Sequence, residues 1–166
     1  MKDASKILDK KQLQQKVNRL AWQVYERNNT QKEIVIVGIE KRGVILSKRL
    51  ANVISDISDL KVSTATISLD KDDPYSSEII FSLDSKQIEN KVVILVDDVL
   101  NSGKTLMYAT KEFLSVPIQK LSTLVLVNRN HNRFPIKADY EGMSLSTTLK
   151  EHINVVFGKE EGVYLS

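Results

Sequence analysis

The sequence predicts an α/β fold built on a parallel sheet, and three observations predict it. Residues 92–96 form a short apolar run enriched in β-branched side chains. Such a run suits a strand buried on both faces better than a half-exposed surface strand. It leads through Asp97-Asp98-Val99-Leu100 into the turn-forming Asn101-Ser102-Gly103, and then into residues 105–114, where Leu106, Ala109, Phe113 and Leu114 keep helical spacing. The same order occurs earlier: a strand at 33–37, a loop at 38–43, and an amphipathic helix whose Leu46, Leu50, Val53, Ile54 and Ile57 face the sheet.

The remaining elements follow in order. Asp9 and Gln12 have capping-box spacing ahead of a helix running to about Arg27, with Leu13, Val17, Leu20 and Val24 on its apolar face. Trp22 and Tyr25 widen that face and read as core or subunit-contact residues. Residues 28–32 form the exit turn. Residues 61–69 read as a strand ended by the polar run 70–73 and Pro74. The chain onward, through Tyr75, Ile80, Phe81 and Leu83, suits either a lid hairpin or a purely structural one. Pro117 helps stop the third helix, and residues 121–127 make a final core strand. Residues 128–142 are polar and turn-rich, a composition suited to capping a sheet edge and reading a base through backbone groups.

Composition narrows the function classes. A chain of 166 residues, 42% hydrophobic and 27% charged, is ordinary for one compact domain. With no cysteine, disulfides, thiolate catalysis and cysteine zinc sites are excluded, and two histidines make an all-histidine metal site implausible. No stretch has the length of a membrane span, and the amino terminus lacks the apolar core of a signal peptide, so a cytoplasmic protein is expected. A net charge of +3 and a pI near 9.0 suit nucleic acid or polyphosphate substrates equally.

The order of residues 97–105 points to a sugar phosphate. Carboxylates suit the vicinal hydroxyls of a ribose, and backbone N–H groups at a helix start, aided by the Ser102 and Thr105 hydroxyls, suit a phosphate. A solvated strand end is the plainer alternative. A P-loop is disfavoured, because Asp98 stands where its upstream glycine is required and only Gly103-Lys104-Thr105 agrees. Lys41, Arg42 and Gly43, ahead of the second helix, form a second loop able to hold a diphosphate.

Residues 92–105 resemble the phosphoribosyl-pyrophosphate motif of type I phosphoribosyltransferases: an apolar strand, two acids, two apolar residues, a variable residue, then Thr/Ser-Gly-x-Thr. Residues 38–50, and 131–142 with His131, Pro135, Ile136, Ala138, Asp139, Tyr140 and Gly142, are similar to the pyrimidine-operon attenuation regulator and uracil phosphoribosyltransferase family. The resemblance runs over residues 7–157. It implies an open, mainly parallel sheet with helices on both faces, one phosphoribosyltransferase domain over 1–166, a lid at about 70–90 and a small hood at about 128–154. The ligand crevice would lie at the carboxyl ends of the strands.

By that resemblance, Asp97 and Asp98 bind the ribose hydroxyls and residues Asn101, Ser102, Gly103, Lys104 and Thr105 cradle the 5′-phosphate. Arg42 and Gly43 hold the pyrophosphate, and Arg42, Lys71 and Asp72 take the catalytic positions. Arg129, His131, Pro135 and Ile136 bound the base. The expected reaction is Mg2+-dependent transfer from phosphoribosyl pyrophosphate to uracil, giving UMP, in a homodimer or larger assembly. Direct metal ligands stay unassigned. Purine-salvage relatives place an aspartate two residues before the loop glycine, and neutral Asn101 cannot serve as that base.

The chain also departs from the family pattern. Lys71 replaces an arginine, Asn128 an aspartate and Asn130 a glycine, the last change bearing on the backbone path near the base. The lid is shorter than usual. Asn18, Trp22, Asn132 and Met143 replace residues that regulatory members use on RNA, so specific transcript binding is expected to be absent or weak. An RNA-binding regulator, a transferase acting on another base and a relative without turnover are the alternatives.

Overall fold

The computed structural model describes residues 4–166. In chain order the elements are β1 (Ser5–Asp9), α1 (Lys10–Asn28), β2 (Glu33–Ile39), α2 (Arg42–Ile57), β3 (Lys61–Ser68), β4 (Ile80–Phe81), β5 (Val92–Leu100), α3 (Lys104–Thr110), β6 (Lys120–Asn128), β7 (Tyr140–Ser144), β8 (Ile153–Val156) and β9 (Gly162–Leu165). Six strands form the main sheet in the order β4-β3-β2-β5-β6-β7, parallel throughout except for the short β4. The remaining three make a small antiparallel hood sheet, β1-β9-β8.

Strand alternation divides the core into two layers. Ile34, Ile36, Ile94, Val96, Leu124 and Leu126 face α1 and α2, packing on Leu13, Val17, Leu20, Leu46, Leu50 and Ile54. Val35, Val37, Val93, Leu95 and Val125 face the opposite way, toward Leu106, Ala109 and Phe113. The central strands are apolar at consecutive positions because both faces are covered. Each fully buried aliphatic contributes on the order of 1.5–3 kcal/mol, and these layers fix where the carboxyl ends of β2, β5 and β6 lie.

Both ends of α1 are closed by side chains. Asp9 and Gln12 form the expected reciprocal capping box at 2.8 and 2.9 Å. At the other end the Asn28 amide donates to Val24 O at 2.7 Å and to the Tyr140 hydroxyl at 3.2 Å, joining the helix to β7.

Several expectations are corrected. β5 continues past Val96 through both aspartates, because its ladder with β6 pairs Asp97 with Val125 and Val99 with Val127. Backbone pairing does not require apolar side chains, so the run of valines understates the strand. The third helix gives way at Lys111–Phe113 to a 3₁₀ turn, which leaves Leu114 74% exposed instead of facing the sheet. β6 is not the last core strand: β7, inside the stretch expected to form the hood, extends the main sheet. Trp22 is 47% exposed and is not part of the core. The segment ahead of Asp9, given no element from sequence, supplies a hood strand paired with β9.

An ion pair fastens the hood to α2. Arg49 Nη1 and Nη2 donate to the two carboxylate oxygens of Glu161 at 2.6 and 2.8 Å, and the guanidinium lies 4.9 Å from the Phe157 ring centre. Glu161 is buried, and the Arg49 hydrogen bonds hold its carboxyl below the usual range. A paired carboxylate of this kind stabilises the fold above its unfolded value, and the contribution is lost as pH falls through the lower folded value. Glu161→Gln should therefore lower the unfolding free energy by about 2 kcal/mol near neutral pH. Urea unfolding curves of the two proteins should converge in acid; a constant difference at every pH would remove the ion pair as the cause.

Candidate functional site

The crevice opens where β2, β5 and β6 end. α2 starts against this edge because Gly43 admits the backbone of β5: a Cβ on Gly43 would sit 2.5 Å from Val96 O. The helix start thereby holds Arg42 beside the end of β5, and Arg42 Nη1 lies 3.4 Å from Asp98 Oδ2. Arg42 and Gly43 belong to the first turn of α2, not to a loop preceding it.

Alternation along β5 sends Asp97 and Asp98 to opposite faces of the sheet. Asp98 meets Arg42 on the α2 side, while Asp97 meets the Lys71 ammonium at 3.2 and 3.3 Å. Both carboxylates are buried, at 3% and 5% exposure. Burial, then the neighbouring charge of Asp98, push the Asp97 carboxyl up to about 7, against the opposing pull of Lys71. The backbone N–H of Asp98 also donates to Asp97 Oδ1 at 2.9 Å.

A cleft of about 270 Å³ follows, lined by Lys71, Asp97, Val99, Leu100 and residues 101–106. Gly103 takes φ 83°, the left-handed region that glycine adopts without strain, and starts α3. A Cβ there would also meet Ile136 Cγ2 at 2.7 Å, so Ile136 packs directly on this turn. Ser102 O accepts from the N–H groups of Arg133 and Phe134 at 2.8 and 3.1 Å, tying the 131–136 segment to the loop.

The 70–77 segment folds down onto this edge. Asp70 Oδ1 accepts from the N–H groups of Asp72 and Asp73, and Lys104 Nζ donates to Asp72 O at 2.9 Å. Asp72 takes part through its backbone, and Tyr75 stands out at 84% exposure. β4 pairs antiparallel with β3 through Ser68 and Ile80, closing a hairpin at the sheet edge.

Other sequence-derived candidates are placed less directly. Arg129 is buried and gives its donors to Asn101 Oδ1, Thr147 Oγ1, Thr148 O and Glu151 O, at 2.7–3.2 Å. His131 Nε2 lies 2.7 Å from Thr147 O. Neither residue lines the cleft, and Pro135 is exposed. Asn130 takes φ 57°, the region a glycine would favour and one that asparagine tolerates. The expected change of backbone path is thus absorbed. Asn128 holds the turn, accepting from Asn130 N at 2.9 Å and donating to Glu141 at 2.8 Å. Val99, Leu100 and Leu106 line the cleft although sequence reasoning assigned them to structure. Their signal was adjacency to the acidic pair, which an apolar pattern hides.

The raised Asp97 carboxyl gives a pH signature with a definite sign. Between its ordinary value of 3.8 and about 7 the folded chain keeps a proton that the unfolded chain releases. Stability therefore falls as pH rises through that interval. Asp97→Asn should raise the melting temperature by a few degrees at about pH 8, with a smaller gain at about pH 5. Equal pH sensitivity in both proteins would show that another group is responsible.

Comparison with known proteins agrees with this architecture. The phosphoribosyl transferase domain matches residues 3–161. The bifunctional protein PyrR of Clostridium acetobutylicum is 38% identical over 158 residues, covering 91% of this chain and 89% of its own. The PyrR of Alkaliphilus metalliredigens is 38% identical over 157 residues, covering 90% and 86%. Among solved structures, a hypoxanthine-guanine phosphoribosyltransferase from Bacillus anthracis superposes with TM-score 0.72 at 26% identity, covering 85% of this chain and 81% of that one. The hypoxanthine phosphoribosyltransferase of Trypanosoma cruzi shares the fold at TM-score 0.74 and 17% identity, covering 86% and 82%. The sheet order, the hood and matches spanning nearly the whole chain lead to one assignment: this chain belongs to the type I phosphoribosyltransferase family, close to its PyrR-like bifunctional branch.

Proposed function

We propose that the chain transfers the ribose 5-phosphate group of phosphoribosyl pyrophosphate to uracil, giving UMP and pyrophosphate. One observation carries the reading: two buried carboxylates stand near the end of β5, and one of them, Asp97, lines the cleft together with the 101–105 turn. In this reading Asp97 and Asp98 accept from the ribose hydroxyls. The backbone of 101–105, with Ser102 and Thr105, holds the 5′-phosphate. Arg42, the Gly43 backbone and Lys71 stabilise charge on the departing pyrophosphate as positive character develops at the anomeric carbon. The 70–77 segment, with Asp72, acts as the lid that keeps water out. The 129–136 segment, with Arg129, His131, Pro135 and Ile136, bounds the base.

Mg2+ fits this acidic edge. Burial has raised the Asp97 carboxyl, and a nearby cation relieves that cost. Among the described residues no three His, Cys, Asp or Glu side chains converge on a cation position. An ion would therefore arrive on the diphosphate and keep most of its waters, with Asp97 and Asp98 the nearest carboxylates. It supplies charge neutralisation to the leaving group.

A second reading, regulation by RNA binding, is favoured by a separate observation: the relatives matched along the chain are named bifunctional proteins. Under it, the basic first helix and the 131–143 segment would meet a pyrimidine-gene transcript. Asn18, Asn132 and Met143 supply no cation there, which argues for weak contact with phosphates. Trp22, half-exposed beside Tyr25, is assigned to a contact between copies in a homodimer, and the cytoplasm is the proposed location.

Two measurements test these readings. With Mg2+ and phosphoribosyl pyrophosphate, a panel of bases should show turnover on uracil, while calorimetry should show binding that weakens at least 10-fold in Asp98→Ala. Equal binding by the variant would sink the site assignment, and turnover of hypoxanthine or guanine without uracil would reverse the base. For RNA, a leader hairpin and a scrambled control are compared at physiological salt, with and without UMP. A UMP-strengthened preference of order 10³ or more would promote the regulatory reading.

A further inference from the structure

Arg129 is a cation taken out of water with no carboxylate beside it among the described residues. It is 5% exposed. Nη1 donates to Asn101 Oδ1 at 3.0 Å, Nε to Thr147 Oγ1 at 3.0 Å, and Nη2 to the carbonyls of Thr148 and Glu151 at 3.2 and 2.7 Å. Every one of these acceptors is neutral. The Glu151 carboxylate itself accepts from Thr148 N at 2.6 Å, and none of the ion pairs among the described residues includes Arg129. Arg49 shows the contrast, for both of its terminal nitrogens meet a carboxylate oxygen of Glu161. Burying a charge without its opposite is costly, and hydrogen bonds to neutral groups offset only part of that cost. Such a group is useful where a ligand brings the missing charge.

Its place in the fold says which ligand charge that is. The Arg129 backbone N–H donates to Leu100 O at 3.0 Å while its side chain holds Asn101, so the residue is fixed twice to the entry of the 101–105 turn that lines the cleft. The other cations at this edge are committed elsewhere. Arg42 pairs with Asp98, Lys71 pairs with Asp97, and the Lys104 ammonium is turned to Asp72 O on the 70–77 segment. The guanidinium therefore stands behind the turn, shielded from water, with its positive charge uncancelled by a contacting acid.

We propose that Arg129 is the fixed counter-charge for the 5′-phosphate: it touches neither phosphate nor base, but positions the start of the turn through Asn101 and adds positive potential where a dianion docks. Low polarisability around the buried fork extends the reach of that charge. Its four hydrogen bonds hold it still, so little reorganisation accompanies phosphate arrival. Arg129 is a positioning residue in this account. The proposal rests on the transferase reading above and assigns the guanidinium to the phosphate end of the cleft, leaving other atoms of the 129–136 segment to bound the base.

The test separates charge from fork geometry. Arg129→Gln keeps a donor without the charge, Arg129→Met keeps neither, and Arg129→Lys keeps the charge without the planar fork. Calorimetry follows the binding of ribose 5-phosphate, which carries no base. Steady-state kinetics give the KM of uracil at saturating phosphoribosyl pyrophosphate with Mg2+. Arg129→Gln and Arg129→Met should weaken ribose 5-phosphate roughly 10-fold or more, the scale of one buried charge acting at short range. The KM of uracil should stay within about 3-fold in both, and Arg129→Lys should recover ribose 5-phosphate affinity to within about 3-fold of the unaltered chain. Should Arg129→Met not fold, the comparison of Gln with Lys decides alone. Equal losses in Gln and Lys would make the fork and not the charge the cause, overturning the proposal. So would an unchanged affinity in Gln, or a raised KM for uracil with ribose 5-phosphate affinity intact, and both leave the transferase reading standing. Binding of ribose 5-phosphate by the unaltered chain without turnover on any base removes the transferase reading and keeps the comparison of variants valid; absence of that binding overturns both.

Discussion

The structure depends on placing two carboxylates side by side at the buried end of its central strand. Adjacent acids in a low-dielectric interior repel and lose hydration, a combination that destabilises the charged forms. β5 manages this by alternation, which sends Asp97 and Asp98 to opposite faces and gives each its own cation from a different part of the chain. Arg42 arrives from the first turn of α2 and Lys71 from the segment after β3. Much of the local architecture follows from meeting that requirement: glycine at 43 so that α2 approaches β5, and a polar turn at 70–73 that brings Lys71 inward. The compensation is incomplete for Asp97, and a strained carboxylate left at a cleft is typical of residues kept for binding.

How much of this was legible in the sequence varied with the range of the forces involved. The capping box at Asp9 and Gln12 is a contact three residues long, and it was readable. Apolar periodicity located the central strands and the first two helices, since both faces of β2, β5 and β6 are covered by aliphatic layers. The ends of elements were less readable. β5 reaches Leu100 because of hydrogen bonds to β6, a partner twenty or more residues away that leaves no trace in local hydropathy. Leu114 has helical spacing and yet no partner, because α3 ends at Thr110.

The candidate site shows the same division. The order of acids, turn and glycine along β5 was visible as a pattern, and the left-handed Gly103 explains why that pattern needs a glycine. The role of Arg129 was not. From sequence it was a basic residue in a polar segment, naturally assigned to a ligand. In the fold its donors are used on Asn101 and on three residues of the 147–151 stretch, contacts 18 to 28 residues distant. Asn130 teaches the converse: the loss of a glycine looked disruptive, but asparagine takes the same backbone region at φ 57°.

The hood sheet joins the two extremes of the described chain, for β1 at residues 5–9 finds its partner in β9 at residues 162–165. On a ribosome β1 is made long before β9, its hydrogen-bonding neighbour among the described residues. The five parallel strands of the main sheet already have their partners by the time residue 144 emerges. Vectorial synthesis therefore assembles the crevice before the hood, and closure of β1 onto β9 must wait until β9 has emerged, at the loop-closure cost of a contact that spans residues 5 to 165. Until then the amino-terminal strand edge is unpaired, the interval in which a nascent chain of this topology is most open to pairing with a neighbour.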